Sequence, residues 1–156
     1  MSTILITGAS RGIGRATALQ FATPGNTLIL VCKSNIDRLN ALAEDIRTRG
    51  AVVLSIQADI SDSTEAARLF DTIKANNLSV DLLINNAGIS YTGLLQDMTD
   101  TEWRTVLDTN LSSIFYCCRA VIPMMLKNGQ GKIINVSSIW GIHGASCEVA
   151  YSATKG

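Results

Sequence analysis

Five short, almost wholly apolar runs punctuate the chain: Thr3–Thr7, Thr27–Cys32, Val52–Ile56, Leu82–Asn85 and Lys132–Val136. Rich in β-branched residues and apolar at successive positions, they match strands buried on both faces of a parallel sheet. The stretches between them have helical spacing. Ile13, Ala16, Thr17, Leu19, Gln20 and Phe21 predict a helix after the first run. Leu39, Leu42, Ala43 and Ile46 stand at i, i+3, i+4 and i+7 after the second, and Ala66, Leu69, Phe70 and Ile73 repeat the pattern after the third. One long helix is expected from Thr101 to about Lys127, capped by Asp100 or Thr101, with Pro123 near its end. Breakers at Pro24-Gly25-Asn26, Arg49-Gly50 and Asn128–Gly131 fall where strands should begin. Strand–helix alternation of this kind builds a doubly wound α/β domain, with helices on both faces of a parallel sheet.

Composition closes off other classes. The 156 residues suit one domain, and 47% apolar with 17% charged residues suits a packed core rather than a disordered chain. Thirteen Lys+Arg balance 13 Asp+Glu, and no basic stripe is present, which argues against a nucleic-acid partner. No apolar run approaches the roughly 20 residues that span a bilayer. MSTILITGAS lacks the basic start of an export signal, so the expected compartment is the cytoplasm. Cys32, Cys117, Cys118 and Cys147 have no C-x-x-C spacing, and His143 is the one histidine. Reduced thiols and no metal site are expected.

Ligands of doubly wound sheets sit beyond the carboxyl ends of the strands. Thr7–Gly14, TGASRGIG, lies between the first strand and its helix. Its glycines permit a tight turn and close approach to a pyrophosphate, which the helix N-terminus attracts. The spacing is G-x-x-x-G-x-G, not the G-x-G-x-x-G of the common dinucleotide fingerprint. At the other end, Tyr151 and Lys155 stand at i and i+4, on one helix face. An ammonium beside a phenol favours the phenolate, and a phenol so placed can act as a general acid toward a carbonyl oxygen. Ser138, beyond the fifth strand, can supply a second hydrogen bond to that oxygen.

These residues together resemble the short-chain dehydrogenase/reductases, over the whole chain. The matching motifs are TGASRGIG (Thr7–Gly14), Asp59 after the third strand, Asn85-Asn86-Ala87-Gly88 after the fourth, Asn110 in the long helix, and Ser138, Tyr151 and Lys155. Ser138 is preferred to Ser137 because it precedes Tyr151 by 13 residues, as the family pattern expects. The resemblance implies an NAD(P)-binding Rossmann fold. It implies cofactor contacts from Gly8, Ser10, Arg11, Gly12, Ile13, Gly14, Asp59, Ile60, Asn86, Ala87, Gly88, Tyr151 and Lys155. It further implies that Tyr151 protonates the substrate oxygen, Ser138 holds it, and Lys155 holds the nicotinamide ribose. Asn110 would disturb its helix and hold a water that leads from Lys155 to solvent.

Cofactor choice follows from the end of the second strand. An NAD enzyme places a carboxylate about 20 residues beyond the glycine turn to accept from the ribose 2′-OH. Here the strand runs into Cys32-Lys33-Ser34-Asn35, and Asp37 should already lie in the next helix. Arg11, Lys33 and Ser34 suit a 2′-phosphate, so NADP(H) is expected.

Within the family, the chain is most similar to the 3-oxoacyl-(acyl-carrier-protein) reductases. SSIWGIHGASCEVAYSATKG also resembles a subgroup that reduces a 5-aminopentanone on elongation factor P. In that case Glu148 would meet the substrate ammonium, although a carboxylate near a helix start is also explained by the helix dipole. Trp140, in the segment Ile139–Ala150, is a candidate wall of the substrate pocket. A silent nucleotide-binding module is the alternative of another class. The family pattern continues past the Tyr-x-x-x-Lys motif with further helix and strands, so the chain reads as a Rossmann domain truncated after Lys155, with an exposed apolar edge at its fifth strand. Leu111, Ile114, Phe115, Cys118, Val121 and Ile122 make the long helix apolar on several sides, and a homo-oligomer, a tetramer by resemblance, is expected at full length.

Overall fold

The computed structural model describes residues 2–156. Strands β1 (Thr3–Thr7), β2 (Thr27–Cys32), β3 (Val52–Gln57), β4 (Leu82–Asn85) and β5 (Lys132–Asn135) form one sheet in the order β3-β2-β1-β4-β5. Every pairing is parallel, with Thr3 opposite Thr27 and Ile4 opposite Leu82. The third run extends one residue further than expected, because Gln57 still pairs with Cys32. The fifth ends one residue earlier, at Asn135.

Alternation along β1 and β2 divides the core in two. Ile4, Ile6, Leu28 and Leu30 pack under α1 (Gly12–Gln20) and α2 (Ile36–Thr48), joined by Leu39, Leu42 and Ile46. Leu5, Ile29 and Val31 face α3 (Ser63–Ala75) and α5 (Ser113–Lys127), joined by Leu69, Phe70, Ile73, Cys117 and Val121. The helical spacing of α2 and α3 names their buried stripes without error. In α1 it does so in part: Leu19 and Phe21 pack against the core as expected, but Ile13 is 66% exposed, and the buried residues of the helix are Gly14 and Ala18. Small residues there let the helix lie close to the sheet.

The expected long helix is three pieces. Helix α4 (Asp100–Leu107) begins with Thr99, not Asp100 or Thr101, as its cap. Thr99 Oγ1 accepts from the Glu102 N–H and Glu102 accepts from the Thr99 N–H, a capping box worth about 1 kcal/mol. A π turn over Asp108–Ser112 then separates α4 from α5. Wider i→i+5 turns of this kind are rare and gather at functional sites. Here the turn contains Asn110, which is fully buried.

After β4 the chain makes a single 3₁₀ turn at Leu95–Asp97 before α4. After β5 come α6 (Trp140–His143) and α7 (Val149–Lys155). Among the described residues β5 lies at the sheet edge, and Ile134 is 47% exposed. The strand order reverses between β1 and β4, which sets the crevice of the fold at their carboxyl ends. No helix among the described residues is long and apolar enough to cross a membrane.

Candidate active site

A cavity of about 600 Å³ opens at that crevice. Gly8, Ser10, Arg11, Gly12 and Ile13 line one part, Lys33, Ser34, Asp59 and Ile60 another, and Asn86, Ala87 and Gly88 a third. Thirteen of the residues expected to touch a cofactor thus fall into two groups: twelve in this lining, and Gly14 buried behind it. Tyr151 and Lys155, the other two, stand just beyond it.

Backbone builds the phosphate turn. Gly8 has φ +66°, and a Cβ on it would come within 2.8 Å of Ala87 Cα. Gly12 has φ +55°, yet a Cβ there would meet nothing within 4 Å, so its missing side chain leaves open space in the cavity. Gly14 packs so closely that a Cβ would lie 2.6 Å from Asn86 Nδ2. No side chain caps α1, and no acidic residue sits in its first turn. Unsatisfied N–H groups and the positive end of the helix dipole therefore face a cradle of pyrophosphate size. The donor set and the open space fit a dinucleotide.

Asn86, in the cavity lining, also braces the turn. Its Nδ2 donates to the carbonyls of Thr7 (2.9 Å) and Gly8 (3.2 Å). Thr7 Oγ1 accepts from the Asn86 and Ala87 N–H groups at 3.0 and 3.1 Å. These four bonds tie the loop after β4 to the glycine turn, so Asn86 shapes the cradle through its backbone. Thr7, the last residue of β1 and the first of the glycine motif, is the hub of this arrangement, a part that its place in the motif does not reveal.

At the far end, Lys33 Nζ lies 2.7 Å from Asp59 Oδ2. Asp59 also accepts from the Ser61 N–H (3.1 Å) and Oγ (2.5 Å). Burial pushes the Asp59 carboxyl up, but Lys33 and Ser61 together outweigh it and hold it below the usual range. Lys33 is thus ion-paired although its side chain is 63% exposed. Arg11 and Arg38 line the same cavity and form no ion pair among the described residues. Arg38 escaped the sequence reading because it belongs to the first turn of α2, three residues past its cap Asn35. The signal was there: a turn that ends β2 at the cavity must start α2 beside it.

The catalytic candidates come from three segments: the π turn, the stretch after β5, and α7. Asn110 in the π turn donates from Nδ2 to Ile89 O (2.8 Å) and Thr154 Oγ1 (3.0 Å), and its Oδ1 accepts from the Ile89 N–H (2.8 Å). Both Nδ2 hydrogens and one Oδ1 lone pair are spent on joining the loop after β4 to α7. Lys155 Nζ donates to Val136 O at 2.8 Å and stands 5.9 Å from the centre of the Tyr151 ring. A Cβ on Gly88 would come 3.5 Å from that Nζ, so the ammonium adjoins the cavity wall. Burial pushes the Lys155 ammonium below the ordinary lysine range. Ser138 Oγ accepts from the Trp140 N–H at 3.3 Å, leaving its own hydrogen for another acceptor. Trp140 is 40% exposed at the start of α6 and is not part of the cavity lining. His143 ends that helix. Glu148 occupies the N-cap position of α7 without capping it; its carboxylate accepts from Ser90 Oγ at 2.9 Å.

Similarity to known proteins follows the same outline. The short chain dehydrogenase family model matches residues 2–156. The 3-oxoacyl-(acyl-carrier-protein) reductase FabG of Staphylococcus epidermidis is 40% identical over 151 residues, 97% of this chain and 62% of that protein. The 3-oxoacyl-(acyl-carrier-protein) reductase of Synechocystis is 37% identical over 97% of this chain and 61% of its own length. The chain therefore spans about three-fifths of these curated relatives. Among solved structures, a metagenomic short-chain oxidoreductase in complex with NADP superposes with TM-score 0.94 at 32% identity, covering 99% of this chain and 70% of that one. L-sorbose reductase from Gluconobacter frateurii, complexed with NADPH and L-sorbose, gives TM-score 0.94 at 28% identity, covering 99% and 59%. With the family model matched from the first described residue to the last, the chain belongs to the short-chain dehydrogenase family.

Proposed function

We propose that this chain forms the nucleotide-binding and catalytic part of an NADPH-dependent carbonyl reductase acting on a 3-oxoacyl-type ketone, small or carrier-bound. The observation that carries the reading is the position of Lys155, whose ammonium meets the cavity wall at Gly88 and faces the Tyr151 ring. A nicotinamide cofactor, when bound, supplies the hydride. The glycine turn holds its pyrophosphate, Asp59 and Ile60 flank the adenine, and Arg11, Lys33, Ser34 and Arg38 receive the 2′-phosphate. Lys155 holds the ribose hydroxyls. Ser138 donates to the ketone oxygen, and Tyr151 gives its phenolic proton to that oxygen as the carbon is reduced, so C=O becomes CH–OH. Positive charge on Lys155 stabilises the phenolate that remains. Asn110 keeps the Ile89 carbonyl and α7 in one arrangement around that proton's path.

The test is NADPH oxidation with a β-ketoester, with and without Tyr151→Phe. Turnover that Tyr151→Phe abolishes while nucleotide binding persists supports the reductase. Nucleotide binding without turnover in the unsubstituted full-length protein supports the silent module instead.

A second substrate reading rests on Glu148. Its carboxylate does not cap α7 and has one side-chain partner, Ser90, so acceptor capacity remains beside the candidate site. A substrate ammonium would use it, as the 5-aminopentanone reductases would require. Glu148→Gln should then lower activity on an amino-ketone selectively, by about 1.5–3 kcal/mol for one charged hydrogen bond. Equal effects on both substrates return the assignment to the 3-oxoacyl class.

The α4–α5 surface supports assembly into a homo-oligomer at full length. Leu111 (48% exposed), Phe115 (56%), Ile122 (44%) and Leu126 (75%) leave large apolar side chains in solvent. A stable monomer by light scattering would contradict assembly.

A further inference from the structure

Helix α7 carries both Tyr151 and Lys155, and what it touches within the described residues sets where they stand. On one side it is held through Thr154 and Asn110. On the other it crosses α6, where Gly141 lies directly against the last turn.

A Cβ built on Gly141 would fall inside the van der Waals shell of the Lys155 carbonyl carbon and oxygen, and 2.7 Å from the Gly156 nitrogen. All three are backbone atoms, which cannot swing aside as a side-chain tip would. The contact is reciprocal: a Cβ on Gly156 would lie 2.8 Å from the Gly141 carbonyl oxygen. Gly141 does not have positive φ, so no backbone conformation demands glycine there. Space alone does. In an ordinary short helix, alanine at such a position would raise helix propensity.

The same crossing fixes Lys155 from two further directions. Ser137 Oγ donates to the Lys155 carbonyl at 2.5 Å, and Lys155 Nζ donates to Val136 O at 2.8 Å. The Gly141 N–H in turn donates to Ser138 O at 3.0 Å, which places α6 on the segment that holds Ser138. We infer that Gly141 is a positioning residue: its missing side chain lets α6 and α7 cross backbone on backbone, and that crossing sets where Lys155 stands. This rests on the reductase reading of Lys155.

The experiment is a double-mutant cycle in the full-length protein, read by NADPH fluorescence titration and by kcat and KM for a β-ketoester. Gly141→Ala should weaken NADPH binding and lower kcat on the order of 10- to 100-fold, the scale of a misplaced binding group, with the ketone KM little changed. In a Lys155→Ala background the same substitution should alter NADPH affinity by less than about twofold, since its effect runs through Lys155. Ser137→Ala adds no volume and is the second arm should Gly141→Ala fold poorly. It should weaken NADPH binding in the same direction by a smaller factor, again only when Lys155 is present. NADPH affinity unchanged in both variants, or losses that add fully to that of Lys155→Ala, would overturn the inference. A Lys155→Ala protein with undiminished affinity and turnover would overturn the reductase reading itself, in an arm that does not involve Gly141.

Discussion

The two halves of the site are built by different means. The nucleotide half is a run of consecutive residues, Thr7 to Gly14, whose shape comes from glycines at positive φ and from backbone carbonyls held by Asn86. The candidate catalytic half gathers Asn110, Ser138 and the Tyr151–Lys155 pair of α7 from three separate segments. It depends on a π turn, a backbone crossing and a handful of side-chain hydrogen bonds. Local chain geometry makes the first, and tertiary packing makes the second. Substitutions should therefore fail differently in each: the nucleotide half by losing structure and binding together, the catalytic half by losing turnover while the fold persists.

The largest expected effect is on turnover. On the proposed reading Tyr151→Phe removes the proton donor of the transition state, and general acid catalysis is worth typically 10²–10⁴-fold. Steady-state kinetics should show that loss in kcat, with the melting temperature nearly unchanged because Tyr151 is only partly buried. A parallel loss of stability would erase the contrast between the halves. Gly14→Ala is the opposite case. Its Cβ would press on Asn86 Nδ2 and the Gly8 backbone, and such overpacking costs about 1–3 kcal/mol. Calorimetry should show a lower melting temperature, and titration a weaker NADPH affinity, in the same variant.

Cofactor preference sharpens the comparison within the nucleotide half. Lys33→Ala and Arg11→Ala should each weaken NADPH relative to NADH by about 1.5–3 kcal/mol, the value of a charge-assisted contact. Arg38→Ala tests the cation that the motifs did not reveal. An unchanged ratio of the two affinities in all three variants would return the 2′-phosphate assignment to nothing. The smallest effect concerns acid. Asp59 is held below its ordinary value of 3.8, so the stabilisation from its contacts is fully present above that pH. It is lost as the pH falls through the lower folded value. Lys33 is largely exposed, and a pair of this kind contributes about 0.2–1 kcal/mol. Acid unfolding of Asp59→Asn beside the parent should therefore diverge above pH 3.8 and converge below it.

Much of this was readable beforehand, for a physical reason that also marks its limit. Strand boundaries came within one residue because a buried parallel strand must be apolar on both faces, and few other segments are. The stripes of α2 and α3 were legible because one face of each meets the core. Motif reading missed Thr99, since Asp100 and Thr101 are equally good caps and only the Glu102 pairing selects among them. Periodicity joined α4 and α5 into one helix, in which only the family resemblance put a disturbance at Asn110, because the π turn follows from no local preference. That turn exists where Asn110 can bond Ile89 and Thr154, residues 21 and 44 positions away.

Ile13 draws the same line inside a single helix. Its spacing marks it as core, but Gly14 and Ala18 take the sheet contact and leave Ile13 in the cavity wall. Alternating periods, glycine spacing and a tyrosine four residues before a lysine are properties of neighbours along the chain. They suffice for the layered sheet, the phosphate turn and the identity of the candidate residues. The ion pair that occupies Lys33, the part Asn86 plays behind the cradle, the backbone crossing at Gly141 and the placement of Lys155 against Gly88 are relations between segments far apart in the chain. Those are settled only when the sheet has closed and brought its carboxyl ends together, because hydrogen bonds and van der Waals contacts act over a few ångströms of space and take no account of distance along the sequence.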